Sequence, residues 1–232
     1  MASKAGVLGG LAGVLGGGAL LAHVAMWVGY DAQANQNLGT STTSPYWLVD
    51  RLTFSLALLL LGVAVVELGV RLARSRIGRD GRPVGMLRRV TGGLGALAAI
   101  VPVAVGTMLV HALVTRDRFE ANEFVADNAP FGVLGLLASA AVLGLALRRS
   151  GVLPAWTAVL LTLFGVGTPL LEMMLPAFAG RVRWAVLQEG HFVPAGLAWV
   201  AIGAVSAWTA LRSRKEPASP DQNAAIAQAA PA

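Results

Sequence analysis

Long apolar runs separated by short polar or arginine-rich stretches dominate the pattern of hydrophobic positions along this chain. Each run has roughly the length that a helix needs to cross about 30 Å of hydrocarbon. Because backbone amides find no water inside a bilayer, such runs must be helical. The pattern therefore predicts an all-α polytopic membrane protein, a bundle of six transmembrane helices. The predicted spans cover about residues 6–30, 52–72, 90–115, 131–147, 152–175 and 191–211.

The distribution of basic residues predicts the orientation of the six spans. With the N-terminus inside, thirteen of the eighteen lysine and arginine residues fall on the inner side. Most acidic residues, Asp50 among them, fall in the outer half. Short cytoplasmic loops are enriched in Lys and Arg, so we expect both termini to be inside. The five basic residues predicted on the outer side are Arg51, Arg116, Arg118, Arg181 and Arg183.

Two regions follow from this organisation: a six-helix transmembrane domain over residues 1–213 and a tail over 214–232. The tail is rich in Ala, Pro, Gln and Ser and offers little apolar surface to bury, so we expect it to be disordered in the cytoplasm. The predicted location is the cell membrane, with multiple passes.

Composition removes several classes of function. The chain is 56% hydrophobic and 13% charged, far from an ordinary soluble domain. Its net charge of +6 comes from residues at membrane boundaries, so we expect the lipid bilayer as partner and no nucleic acid. Cysteine is absent, which excludes disulfides, thiolate nucleophiles and iron–sulfur clusters.

Candidate chemistry lies in a small set of polar residues that the topology places together in the outer half of the membrane. They are His23, His111, His191 and Glu172. Ionisable groups within spans are costly in lipid and point to function. Neutral histidine suits metal ligation, haem ligation or proton transfer, and a nearby carboxylate fits each of these.

The leading hypothesis is an outer-leaflet pocket in which these four residues bind a metal ion or haem or relay protons. With haem, His23 and His111 would be the axial ligands. The simpler interpretations are a hydrogen bond between helices for His23, interfacial positions for His111 and His191, and an ion pair with Arg181 or Arg183 for Glu172. Whether the chain is an enzyme is left open, because no catalytic motif is present.

Two other classes of function are retained as alternatives. A small transporter or channel would use the kinks expected near Pro102 and Pro169. A non-catalytic membrane subunit or assembly factor would dock other membrane subunits through the face formed by Gly9, Gly13 and Gly17, whose spacing permits close helix approach.

Three local predictions complete the sequence analysis. Glu67 and Arg71 are spaced to form an i,i+4 ion pair at the inner end of the second span. The stretch 116–130 is predicted to form a short amphipathic helix on the outer surface. No predicted span contains an aspartate, which argues against aspartyl intramembrane proteolysis.

Overall fold

The structure is a computed structural model that describes residues 2–28, 30–31, 36–37, 45–74, 85–116, 118–150, 152–170 and 192–215. A two-stranded antiparallel ribbon follows the first helix, with Tyr30 paired to Asn37 and Asp31 to Gln36. A π-helical turn, Leu163–Gly167, continues the fifth helix. The elements are α1 (Ala2–Val28), β1 (Tyr30–Asp31), β2 (Gln36–Asn37), α2 (Pro45–Arg74), α3 (Gly85–Thr115), α4 (Arg118–Ser150), α5 (Ala155–Thr162) and α6 (Phe192–Lys215).

The prediction of an all-α fold with long apolar helices is confirmed. Among the described residues, five helices are long and apolar enough to cross a membrane. They contain Lys4–Trp27, Tyr46–Leu72, Val90–Thr115, Arg118–Arg148 and Phe192–Arg212. The fifth predicted span is described as a shorter apolar helix over Ala155–Leu170, and the remainder of that span lies outside the described residues. The inward orientation of both termini stays a prediction.

Helices α1 to α4 each begin earlier than the predicted spans, and α2 and α4 show the largest differences. α2 begins at Pro45, seven residues before the predicted start at 52, because proline suits the first turn of a helix, where its missing N–H is not needed. α4 begins at Arg118 and continues through Pro130 to Ser150, so 118–130 belongs to α4 and is not a separate surface helix. The predicted irregularity of the fifth span takes the form of the π-helical turn.

Helix α1 lies between α2 and α6 and joins them into one packed unit. Its stripe of glycines permits this, because the hydrogen of glycine leaves room for a neighbouring backbone. A Cβ atom on Gly10 would lie 2.5 Å from the backbone nitrogen of Ala207, and one on Gly17 would lie 2.6 Å from the carbonyl oxygen of Gly196. The α1–α6 contact is therefore backbone against backbone.

The glycine face predicted to dock other subunits contacts helices of this same chain. Gly13 and Gly17 pack against α6, and Gly9 packs against Glu67 of α2. Docking of further membrane subunits on this face stays a prediction. The predicted boundary between domain and tail falls within the last turn of α6, which extends to Lys215, and residues 216–232 lie outside the described residues.

The core of the bundle is apolar at its centre. Leu20 of α1, Leu61 of α2 and Trp199 of α6 are each at most 1% exposed and belong to one cluster of buried side chains. The opposite faces of the helices carry exposed leucine, isoleucine and valine, as expected of surfaces that meet lipid. The same packing places the C-terminal half of α1 against the first turns of α2, where the candidate site lies.

Candidate functional site

The centre of the site is a hydrogen bond between His23 of α1 and Asp50 of α2. The imidazole Nδ1 lies 2.8 Å from the carboxylate Oδ1. The side chains are 2% and 0% exposed, so the pair is removed from solvent. A carboxylate bonded to one ring nitrogen fixes the orientation of a histidine ring. This arrangement can hold a proton between two helices.

Aromatic rings and one guanidinium surround the pair. The His23 ring lies 4.5 Å from the Phe54 ring and 5.9 Å from the Trp27 ring, measured between centroids. The guanidinium of Arg51 lies 4.9 Å from the centre of the Trp27 ring, within the range of a cation–π interaction. Arg51 Nη1 is also 3.9 Å from Asp50 Oδ2. The positive charge of Arg51 therefore stabilises the negative charge of Asp50.

Buried polar atoms of this group that form no hydrogen bond among the described residues include Oδ2 of Asp50, an acceptor when ionised, and Nε1 of Trp27, a donor. A buried polar atom without a partner typically costs about 1–3 kcal/mol, so such atoms often mark sites of function. The second carboxylate oxygen of Asp50 is thus available to a proton or a donor group.

A cavity of about 520 Å³ adjoins the pair on the side of α4. Arg51 and Phe54, which both contact the pair, form part of its wall. The cavity extends along α4 from Asn122 to Leu137, a distance of about 22 Å at 1.5 Å per residue. Its volume falls in the range of small-molecule sites, about 300–1,000 Å³. Arg51 and Phe54 thus lie both in the wall of this cavity and beside Asp50 and His23.

Asn122 is fixed at the polar end of the cavity by a bond from α2. Trp47 Nε1 donates to Asn122 Oδ1 at 3.3 Å, and Trp47 is fully buried. The indole N–H can only donate, so the amide oxygen of Asn122 faces Trp47. The NH₂ group of Asn122 therefore points away from Trp47. Asn122 is therefore held as a hydrogen-bond donor beside the cavity.

His111, predicted as a second ligand, has neighbours different from those of His23. It is exposed near the C-terminal end of α3 and lines a pocket of about 510 Å³ with Thr107, Glu120 and Phe124. The described contacts of His23 are instead Asp50, Trp27 and Phe54. Within the described part of the chain, no group of three or more His, Asp and Glu residues could hold a metal ion.

The other two predicted site residues, His191 and Glu172, lie outside the described residues. The metal and haem versions of the hypothesis need these residues or His111 beside His23. Both versions stay predictions.

Asp50 is a candidate site residue that the apolar pattern leaves outside the second predicted span, which begins at 52. Because α2 starts at Pro45, Asp50 lies in a helix long and apolar enough to cross a membrane, and the prediction that no span contains an aspartate is wrong. A signal for its location was present in the periodicity of α2. The buried positions Leu61, Ala57 and Trp47 recur at helical spacing, and Asp50 falls on the same stripe.

A second polar cluster lies at the other end of α2. The predicted ion pair is confirmed, with Arg71 Nε donating to Glu67 Oε1. Arg71 Nη1 also donates to the carbonyl oxygen of Ser206 at 3.2 Å, which ties α2 to α6. The side chains of Glu67 and Arg71 pack against Gly9 and Gly6 of α1. This cluster joins three helices and has a structural role.

Comparisons with known proteins add no assignment to this geometry: a scan against protein-family models, a search of curated proteins and a search of solved structures each found no match to the chain.

Proposed function

We propose that this chain is a multi-pass protein of the cell membrane, with both termini inside, whose His23–Asp50 pair takes up and releases a proton beneath the extracytoplasmic surface. The observation that carries the proposal is the 2.8 Å bond between two fully buried titratable side chains on different helices. Gain or loss of one proton changes the charge of the pair and the strength of that bond.

The groups around the pair support reversible proton uptake. Arg51 supplies a permanent positive charge near Asp50, which limits the cost of burying the carboxylate. The unpartnered Oδ2 of Asp50 gives the proton a second position. The cavity beyond Arg51 and Phe54 offers a path by which a water-borne proton could arrive from one side.

Imidazole nitrogen NMR on the full chain in lipid bilayers tests this proposal. A background carrying His111→Asn and His191→Asn leaves His23 as the one imidazole, and selective ¹⁵N-histidine labelling then reports its protonation directly. We expect the signal to change from neutral imidazole to imidazolium between about pH 8 and pH 5. The Asp50→Asn variant should need a more acidic solution, because the partner charge is gone.

The matched control for Asp50→Asn is Asp127→Asn, which removes an exposed carboxylate of α4. It should leave the titration of His23 unchanged. A His23 signal that stays in one protonation state across this pH range would refute the proposal. An Asp50→Asn variant that titrates like its parent would also refute it, since the pair would then not be coupled.

The proposed orientation can be tested separately because the chain contains no cysteine. A single thiol introduced as Ser41→Cys should react with a membrane-impermeant maleimide in intact cells. One introduced as Arg79→Cys should react only after the membrane is opened. The reverse pattern would place the His23–Asp50 pair on the cytoplasmic side.

One observation favours the alternative of a small transporter: the cavity reaches Leu137, well into the length of α4. The packing of α1 and α2 counts against a continuous pathway, because Leu20 and Leu61 are buried between the two polar clusters of α2. Counterflow of a labelled substrate in proteoliposomes would be required to establish transport.

A further inference from the structure

The cavity beside Arg51 has two unlike ends. Arg51 and Asn122 form its polar end, and Val133, Leu134 and Leu137 of α4 form an apolar wall. Among the described lining residues, Arg51 carries the one charge. Such a division of polar and apolar surface matches a molecule with a polar head and a hydrocarbon chain.

The polar end offers hydrogen-bond donors. Arginine has five N–H donors, no acceptor and a charge that it keeps at all physiological pH values. The oxygen of Asn122 is engaged by Trp47, so its amide contributes its NH₂ group. Asp50 neutralises part of the positive charge of Arg51, but Asp50 is not among the residues that line the cavity. The polar end of the cavity therefore favours a negatively charged head group that is rich in hydrogen-bond acceptors.

We propose that this cavity binds an anionic amphiphile, with a carboxylate or phosphate head group at Arg51 and Asn122 and an acyl chain along Val133, Leu134 and Leu137. Guanidinium binds both kinds of anion through paired hydrogen bonds. The apolar wall gives the acyl chain a protein surface in place of lipid. This proposal concerns a ligand and does not depend on proton uptake by His23.

Binding of tritiated palmitate to the delipidated full chain in dodecylmaltoside tests the proposal. At a pH where palmitate is ionised, we expect saturable binding that unlabelled palmitate displaces. Hexadecanol has the same chain and no charge, so it should compete at least about tenfold less well, the effect of one charged hydrogen bond. Equal competition by hexadecanol would overturn the proposal.

Variants locate the binding to this cavity. Arg51→Gln should weaken palmitate binding about tenfold or more, and Arg51→Lys should recover most of it. Since Arg51 also contacts Trp27 and Asp50, Ala129→Phe provides a second variant, which fills the cavity and leaves Arg51 in place. Ala129→Phe should abolish saturable binding.

Two matched controls accompany these variants: Arg118→Gln, which removes an exposed arginine of α4, and Ala138→Phe, which adds the same ring at an exposed position of that helix. Both should bind palmitate like the parent chain. If Ala129→Phe also binds like the parent, the ligand lies elsewhere and the proposal is refuted.

Competition by dipalmitoylphosphatidylglycerol identifies the source of the ligand. If the phospholipid displaces palmitate, the site accepts a membrane lipid through its phosphate. If only fatty acids displace palmitate, the site is selective for a free carboxylate. If neither palmitate nor the phospholipid binds saturably, the cavity does not take an anionic amphiphile and the proposal is wrong.

Discussion

Replacement of His23 and Asp50 by leucine, singly and together, measures how strongly the pair couples α1 to α2. The His23→Leu variant leaves a carboxylate that is 0% exposed, and within the described part of the chain its charged neighbour is Arg51, at 3.9 Å. We expect a loss of about 3 kcal/mol, at the low end of the range for breaking a buried ion pair. The Asp50→Leu variant leaves a neutral imidazole without its acceptor and should lose about 2 kcal/mol.

The double variant should lose less than the sum of the two single losses, because no polar atom of the pair is left without a partner. An expected loss of about 3.5 kcal/mol gives a coupling energy of about 1.5 kcal/mol. This value is near the upper limit measured for hydrogen bonds between membrane helices, about 1.7 kcal/mol. The 2.8 Å distance and the burial of both side chains justify a value at that end.

The assay is reversible unfolding of the chain in mixed dodecylmaltoside and SDS micelles, followed by tryptophan fluorescence and circular dichroism. The matched control is the cycle of His111→Leu and Glu120→Leu, two exposed residues that line one pocket, whose coupling should be close to zero. A coupling energy below about 0.5 kcal/mol would mean that the effects of the two single substitutions are additive. That result would refute a strong interaction between His23 and Asp50.

Two further predictions concern the packing that holds the site. In the same unfolding assay, Gly10→Ala should destabilise the chain by about 1–3 kcal/mol, because the new Cβ would overlap the backbone of Ala207. Gly18→Ala should be neutral or stabilising, because a Cβ at Gly18 would meet open space. Trp47→Phe removes the bond to Asn122 and should cost about 0.5–1.5 kcal/mol, compared with no measurable cost for Trp208→Phe at a 57% exposed position; equal effects would exclude a role for the bond.

The amino-acid sequence predicted the class of fold because lipid imposes a simple requirement on it. Any span must satisfy its own backbone hydrogen bonds, so an apolar run of sufficient length is a helix almost regardless of its details. The ends of spans are less constrained. Pro45 and Arg118 begin their helices in polar sequence, where apolar length gives no information, and the early start of α2 brings Asp50 into the bundle.

The partner of His23 could not be identified from hydropathy for the same reason. The small residues on its own helix indicated that His23 faces a neighbouring helix, and the structure places it at 1% exposure. Which helix it meets depends on the register of α1 against α2. That register is set by close contacts of glycines, such as Gly16 against Leu61, and such contacts are long-range properties of the fold.

The two polar clusters on α2 bear on the side of the membrane with which the proposed site exchanges its proton. Asp50 and Glu67 are 17 positions apart, about 25 Å at 1.5 Å per residue, which approaches the thickness of the hydrocarbon core. Between them, Leu61 and Leu20 are buried and in one apolar cluster. A proton that moved between the two clusters would pass these buried leucines as an unsolvated charge. Exchange of protons between the clusters is therefore strongly disfavoured. Under the proposed function and orientation, the pair at His23 therefore exchanges its proton with its own side of the membrane. Such one-sided exchange suits a site that responds to the extracytoplasmic medium better than a channel.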